Sequence, residues 1–403
     1  MIDLNTKVIC PVCGVETRDT GIKRSLPAMQ NYLYPTYDLA LGASFGRYSL
    51  SYCDGCSLAF NSAFEAGLMS YDAGYTAYIS SAAFDGYYDE SVDFIANKFH
   101  LGNGIAVDIA CGRGEFLERI CNRFPGMRGL GIDPSIAKDI APEIENCGFI
   151  SDFFKREHIN ERPSLVICRH ALDQIERPRE FLLSVSDAIR DLGPVPFFIE
   201  VGDLEWILKN RSFSDLCYER CSIFSETSLN KVLELSGFAV NGIERSFGGQ
   251  YLRAFGVIGT TTGRADPVDF ESEYIDRISN LIDEYAANEK TLIGSITEKM
   301  QHAKDEGDLI AIWGAATKGV IFCNMVDPEN GLIDLCIDNN PQKSGCFIPH
   351  SGHKIVPPKS LIDEEKTELT VVVMNPQYVD EIKKECARSK RIVTFLDASG
   401  TEI

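Results

Sequence analysis

Residues 105–134, IAVDIACGRGEFLERICNRFPGMRGLGIDP, restrict the architecture of this chain more than any other stretch. Residues 105–109 form an apolar run of strand length, and Cys111-Gly112-Arg113-Gly114 then turns the chain. Residues 115–123 follow with Phe116, Leu117 and Ile120 at helical spacing. A second apolar run, 130–132, ends in Asp133. Strand, glycine turn, helix, strand, acid is the layout of a nucleotide-binding βαβ unit. In such a unit Gly112 and Gly114 let the backbone approach a ligand closely, and Asp133 accepts hydrogen bonds from ribose hydroxyls. The turn lacks the full G-x-G-x-x-G spacing of dinucleotide sites. Asp108, at the strand end, is placed to face a cationic ligand group instead.

The alternation continues downstream. Residues 148–154 read as a strand ending in polar residues, where Asp152 is within reach of an adenine amino group. Residues 165–168 are the next strand, followed by Arg169 and His170, and 179–192 carry one apolar helical face. Residues 197–201 are a further strand. Strands alternating with helices give a doubly wound α/β sheet with ligands at the carboxyl ends of its strands. Asp108, Asp133, Asp152, His170 and Glu200 all fall near such ends. Small and polar residues at 259–267 mark a linker, and 269–304 read as one long helix. A second Rossmann-like unit follows: a strand at 309–313, a turn at 314–319 containing Lys318, a helix to about Met325, and a strand at 333–337 ending in Asp338. Residues 371–374, ending in Asn375-Pro-Gln-Tyr378, repeat the scheme.

The N-terminal part is different. Cys10-Pro-Val-Cys13 and Cys53-Asp-Gly-Cys56 supply two thiolates each from tight turns, as a tetrahedral four-cysteine zinc site requires. No spare ligand lies nearby, so the zinc is expected to be structural. The other ten of the fourteen cysteines are scattered singly among apolar runs, as small buried hydrophobes are. With 403 residues this is not a small disulfide scaffold, and a reduced, cytoplasmic protein is expected. A net charge of −20 argues against nucleic acid or an anionic membrane as partner. No run approaches the roughly eighteen apolar residues of a membrane span, and no signal-peptide pattern opens the chain.

Three further segments stand out. Tyr71, Tyr75, Tyr78, Tyr87 and Tyr88 precede the first cofactor strand, where a tyrosine-bearing segment is placed to act as a lid. Residues 213–224 (FSDLCYERCSIF) follow neither helix nor strand periodicity, and polar residues inside an apolar stretch need partners. This is a candidate active-site segment. In 247–253 (FGGQYLR) the paired glycines suggest close approach of another element or a ligand.

Taken together, these residues resemble the three-domain sugar C-methyltransferases that act on nucleotide-linked keto sugars. The resemblance runs over nearly the whole chain: both CxxC pairs, DIACGRGEF (similar to motif I of class I methyltransferases), RHALDQIERPREFL, IEVGDLEWIL, YERCSIFS, FGGQYL, WGAATKG, DNNPQKSG with PHSGH, and NPQY. It implies a zinc module over 1–70, a class I S-adenosylmethionine domain over 71–258, and a linker, long helix and Rossmann-like domain over 259–403. It implies cofactor contacts from Asp108, Gly112, Gly114, Asp133, Asp152 and Arg169, with the turn of Gly112 and Gly114 against the methionine part. Tyr75 matches the family's lid tyrosine, Glu219 is the first candidate base and His170 the second. Tyr218, Arg220, Lys318 and Asn375 are expected on the substrate, with Arg220 and Lys318 holding an anionic part. The family's Glu-His pair after His170 reads Asp173-Gln174 here, and its Tyr-x-Glu-His reads Cys217-Tyr218-Glu219-Arg220. Both histidines able to act as bases are therefore replaced, so O- or N-methylation stands beside C-methylation. A nucleotide-sugar enzyme or binding protein without methyl transfer is the remaining alternative. A small-molecule substrate of the nucleotide-sugar kind and a monomeric state are expected.

Overall fold

The structure is a computed structural model that describes residues 7–72, 74–76, 81–136, 144–259, 272–362, 368–389 and 391–403. Its central sheet has seven strands in the order Phe238–Ser246, Tyr251–Ile258, Val195–Gly202, Leu165–Arg169, Gly104–Ile109, Met127–Ile132, Cys147–Ile150. The last five are parallel. Gly104–Ile109 has Met127–Ile132 on one side and Leu165–Arg169 on the other. Chain order reverses across it, and the crevice this opens at the carboxyl ends is where such sheets hold ligands. Successive residues serve opposite faces: Val107, Ile109, Val166 and Cys168 enter one apolar cluster, Ala106, Leu165 and Ile167 the other. A strand buried on both faces reads as a continuous apolar run, which is why Leu165–Arg169 and Val195–Gly202 were legible. The helix Glu115–Arg123 stands where its spacing placed it, and the fold is the expected doubly wound α/β sheet with an N-terminal cysteine module and a C-terminal Rossmann-like sheet.

The other two strands of this sheet correct the reading of its edge. Phe238–Ser246 and Tyr251–Ile258 form an antiparallel hairpin against Val195–Gly202. Polar residues and a register shift between Val240 and Gly242 break the alternation that would have marked the edge strand. The paired glycines lie in the hairpin turn, and a Cβ on Gly248 would sit 2.0 Å from the Gln377 side chain. The element that approaches Gly248 belongs to the C-terminal unit, and Gly249 faces Trp206.

In the N-terminal module Arg18–Pro27, Phe45–Tyr52 and Ala59–Asn61 form an antiparallel sheet. Its fourth strand, Ser222–Ile223, comes from the 213–224 segment. The C-terminal sheet is parallel, in the order Ile355–Val356, Leu335–Ile337, Leu309–Trp313, Leu369–Val373, Val393–Asp397. The long helix Ser272–Asp305 buries Ile278, Ile282, Tyr285 and Ile296 in one cluster with Ile22, Tyr48 and Leu50 of the module and Ile310 and Phe322 of the C-terminal unit. The segments divided at 70 and 258 therefore share cores. Tyr78, the proposed linker beyond Gly259, and the expected helix start at 269–271 lie outside the described residues. Among the described residues no helix is long and apolar enough to cross a membrane.

Candidate active site

The cofactor turn is built by three residues in the left-handed region: Ala110 (φ 60°), Gly112 (57°) and Gly114 (82°). Ala110 N donates to Ile132 O at 2.8 Å, tying the turn to the neighbouring strand. Gly114 is required by space as well, since a Cβ there would sit 2.7 Å from the Phe149 ring. Asp133 Oδ2 accepts from Gly112 N at 2.9 Å, and its Oδ1 accepts from Ser135 N and Oγ at 2.7 and 2.6 Å. Asp108 is buried nearby. Burial pushes its carboxyl up to about 8, against the pull of Arg169 and with the repulsion of Asp133 and Glu115. Asp152 lies at the sheet edge, ion-paired with Lys155 and accepting from Phe153 N at 2.8 Å.

Arg169, expected on the cofactor, pairs with Glu200. Its Nε donates to Glu200 Oε2 at 2.8 Å, and its guanidinium lies 4.0 Å from the Phe116 ring centroid and 4.6 Å from that of Tyr88. Glu200 also accepts from Tyr87 Oη and, at 3.1 Å, from Ser246 Oγ. Burial alone would push its carboxyl up, but the charge of Arg169 and the hydrogen bonds from Arg169 and Tyr87 hold it below the usual range. His170 adopts φ 52°, donates its backbone N–H to Glu200 O at 2.8 Å and packs its ring at a tilt against Tyr251. Its Nε2 is buried 3.4 Å from Glu200 Oε2 without a hydrogen bond. Burial lowers its pKa to about 3, so the ring is neutral.

Opposite these strand ends, three parts of the chain meet on Glu219. Its Oε1 accepts from Gln30 N at 2.5 Å and Asn31 N at 2.9 Å. Its Oε2 accepts from Asn31 Nδ2 at 2.8 Å and, more loosely, from Tyr75 Oη at 3.3 Å. Burial raises its pKa although these donors pull the other way. Asn31 and Gln30 gave no signal in the sequence, because nothing local links them to Glu219.

Arg220 and Lys318 come together as expected, but on a carboxylate the sequence reading passed over. Asp215 Oδ1 accepts from Arg220 Nη1 at 3.0 Å and its Oδ2 lies 2.8 Å from Lys318 Nζ. Burial pushes the Asp215 carboxyl up, and Lys318 and Arg220 more than reverse it. Asp173 Oδ2 lies 3.5 Å from Arg220 Nε. The two cations are thus matched by two buried acids. An acid inside an apolar segment was the available signal for Asp215.

Two residues expected on the substrate have partners within the fold. Tyr218 is fully buried, its hydroxyl accepting from Glu65 N at 2.8 Å, and a Cβ on Gly46 would strike its ring at 2.0 Å. It packs the module. Asn375 exchanges amide hydrogen bonds with Gln250, at 2.8 and 3.1 Å, and is spent on that junction. Cavities of about 530 Å³ along the long helix, near Arg277, and about 370 Å³ between Ser81 and Glu385 lie away from this cluster.

The four module cysteines converge. Their sulfurs all lie within 4.8 Å of one another, with Cys10–Cys56 at 3.6 Å and Cys13–Cys53 at 3.4 Å. A tetrahedron with Zn–S near 2.3 Å has edges of roughly 3.8 Å, so the donor set fits zinc. Each knuckle closes alike: Gly14 N donates to Cys10 O at 3.1 Å and Ser57 N to Cys53 O at 2.8 Å, both residues at positive φ.

Comparison with known proteins agrees with this layout. A family model described as a methyltransferase domain matches residues 82–241, and one described as a C-methyltransferase C-terminal domain matches 272–394. The C-methyltransferase NovU of Streptomyces niveus is 25% identical over 320 residues, 75% of this chain and 74% of that protein. A SAM-dependent methyltransferase structure from Aquifex aeolicus matches at 15% identity and TM-score 0.33, covering 41% of this chain and 89% of that one. The 1,6-didemethyltoxoflavin-N1-methyltransferase of Burkholderia thailandensis, with S-adenosylhomocysteine bound, matches at 14% identity and TM-score 0.34, covering 45% and 80%.

Proposed function

We propose that this chain, which belongs to the SAM-dependent C-methyltransferase family, methylates a carbon beside the carbonyl of a nucleotide-linked sugar or a related small polar intermediate. S-adenosylmethionine supplies the electrophilic methyl group. Asp133 holds the ribose, the turn of Gly112 and Gly114 takes the methionine part, and Asp152 faces the adenine. Asp108 ionises beside the cofactor's positive charge, which lowers the cost of its buried carboxylate. Zinc in the Cys10, Cys13, Cys53 and Cys56 site is structural, since all four positions of a tetrahedron are filled by thiolates.

The observation that carries the carbon assignment is the buried Glu219 with its raised pKa. A carbon acid needs a positioned base, and burial strengthens this one. Of its four donors the Tyr75 hydroxyl is the longest, at 3.3 Å. Substrate that displaces Tyr75 reaches Oε2, which takes the proton from carbon as the electron pair moves towards the carbonyl oxygen. The enolate carbon then attacks the methyl group in line, the carbon–sulfur bond breaks, and S-adenosylhomocysteine leaves. Arg220 and Lys318, fixed by Asp215, present positive charge to the anionic part of the substrate. His170, neutral and weakly basic at a pKa of about 3, is the second candidate.

The test is solvent deuterium exchange at the carbon next to the carbonyl, in UDP- and dTDP-linked keto sugars, with wild type and Glu219→Gln. Exchange that disappears in the variant supports the enolate. Methylation without exchange, in a variant that stays active, would move the target to oxygen or nitrogen and remove Glu219 from the chemistry.

A further inference from the structure

Asn31 does more than touch Glu219. One hydrogen of its side-chain amide goes to Glu219 Oε2 at 2.8 Å, and Thr317 Oγ1 accepts from the same nitrogen at 2.8 Å. Asn31 is buried, as is Gln30 beside it, whose Oε1 accepts from Glu219 N at 3.1 Å. Thr317 is the first residue of the helix Thr317–Val326, and the next residue, Lys318, is paired with Asp215. A single amide therefore joins the N-terminal module, the 213–224 segment and the C-terminal unit. An amide nitrogen with both hydrogens engaged is held in one rotamer. Without Thr317 as acceptor, the second hydrogen loses the partner that ties the amide to the C-terminal unit.

We propose that Asn31 is a positioning residue for the methyl transfer: anchored on Thr317, it aims a donor at Glu219 Oε2 and so sets that oxygen's affinity for the substrate proton when the C-terminal unit is docked. This rests on Glu219 being the base. A donor to the ionised carboxylate favours the ionised form, so removing it makes Glu219 hold its proton to higher pH. The other titratable groups facing Glu219 are the Tyr34, Tyr71 and Tyr75 hydroxyls and the Cys217 thiol. Burial raises the pKa of all four, so none of them takes up charge as Glu219 titrates.

The experiment is isotope-edited infrared spectroscopy of the full chain across pH. The Glu219 carboxyl band is identified by its loss in Glu219→Gln. Asn31→Ala is expected to increase the proton affinity of Glu219 about tenfold, one unit in its midpoint. Thr317→Val is expected to act in the same direction by about threefold, and Thr317→Ser to leave the midpoint at its wild-type value, because the hydroxyl remains. An unchanged midpoint in Asn31→Ala, or identical midpoints in the two Thr317 variants, would overturn the assignment. Should Asn31→Ala fail to fold, the Thr317 pair decides alone. Failure of the base assignment itself is read separately, from deuterium exchange that survives in Glu219→Gln.

Discussion

The two Rossmann-like units close their turns by the same device and end their strands differently. In the first, Ala110 N donates to Ile132 O at 2.8 Å and Gly112 N to Asp133 Oδ2 at 2.9 Å. In the second, Gly314 N donates to Ile337 O at 2.8 Å and Ala315 N to Asp338 Oδ2 at 2.8 Å. In both, the acid after the second strand satisfies a turn N–H that has no ladder partner, which makes that acid part of the scaffold. Matched through the first of these bonds, Asp108 of the first unit falls opposite Ile312 of the second, each two residues before the turn begins. A buried acid prepares one strand end for a cation, and an isoleucine offers the other no such contact. The turns differ in the same sense. A Cβ on Gly112 would meet nothing within 4 Å, whereas one on Gly314 would meet the Met374 side chain at 3.2 Å. Buried Lys343 donates to Ala315 O at 3.2 Å and fills the second turn from behind. An acid at the end of a second strand is thus weak as a ribose signal. The open turn and the buried Asp108 discriminate.

The largest effect should come from removing what neither unit contains. Zinc in a closed site of four thiolates contributes on the order of 10–16 kcal/mol in small domains, so chelation should unfold the module and withdraw Gln30 and Asn31 from Glu219. Both βαβ units keep their own turn bonds and should stay folded. Metal analysis should give about one zinc per chain, and calorimetric unfolding should lose one transition on stripping. A metal-free chain with unchanged unfolding would exclude the site.

Next is the pair of acids. Asp133→Ala should weaken cofactor binding by roughly 1.5–3 kcal/mol, tenfold or more, because a charge-assisted contact is lost. Asp338→Ala should lower stability through its turn and leave cofactor affinity within about twofold. Titration calorimetry with S-adenosylhomocysteine distinguishes them, and equal losses would break the comparison.

The smallest effect is a slope. The Asp108 carboxyl is raised to about 8 in the folded chain, against about 3.9 in an unfolded one. Between those values the folded state binds the extra proton, so stability falls as pH rises, by at most about 1.4 kcal/mol per pH unit. Asp108→Asn should flatten the pH dependence of denaturant unfolding between about pH 4 and 8. A slope that persists in the variant would assign it to another group.

What the sequence determined by itself was local: apolar runs long enough for strands buried on both faces, Phe116, Leu117 and Ile120 at helical spacing, left-handed turns marked by Gly112 and Gly114, and cysteines paired with two residues between them. These signals survive folding because they depend on neighbours within a few positions. The tertiary structure alone decided which side chains were still free to bind. Ser222–Ile223 gave no strand signal because its partner, Ala59–Phe60, comes from the far end of the module. Tyr218 is aromatic in an active-site segment, yet it is used up against Gly46. Asn375 bonds Gln250, Arg169 bonds Glu200, and Arg220 and Lys318 meet on Asp215. A polar group in the interior takes whichever partner the fold delivers, since leaving it unmet costs about 1–3 kcal/mol. That partner comes from any distance along the chain, so residue type and spacing could nominate Glu219, and only its three-way junction with Asn31 and Thr317 could say what state it is held in.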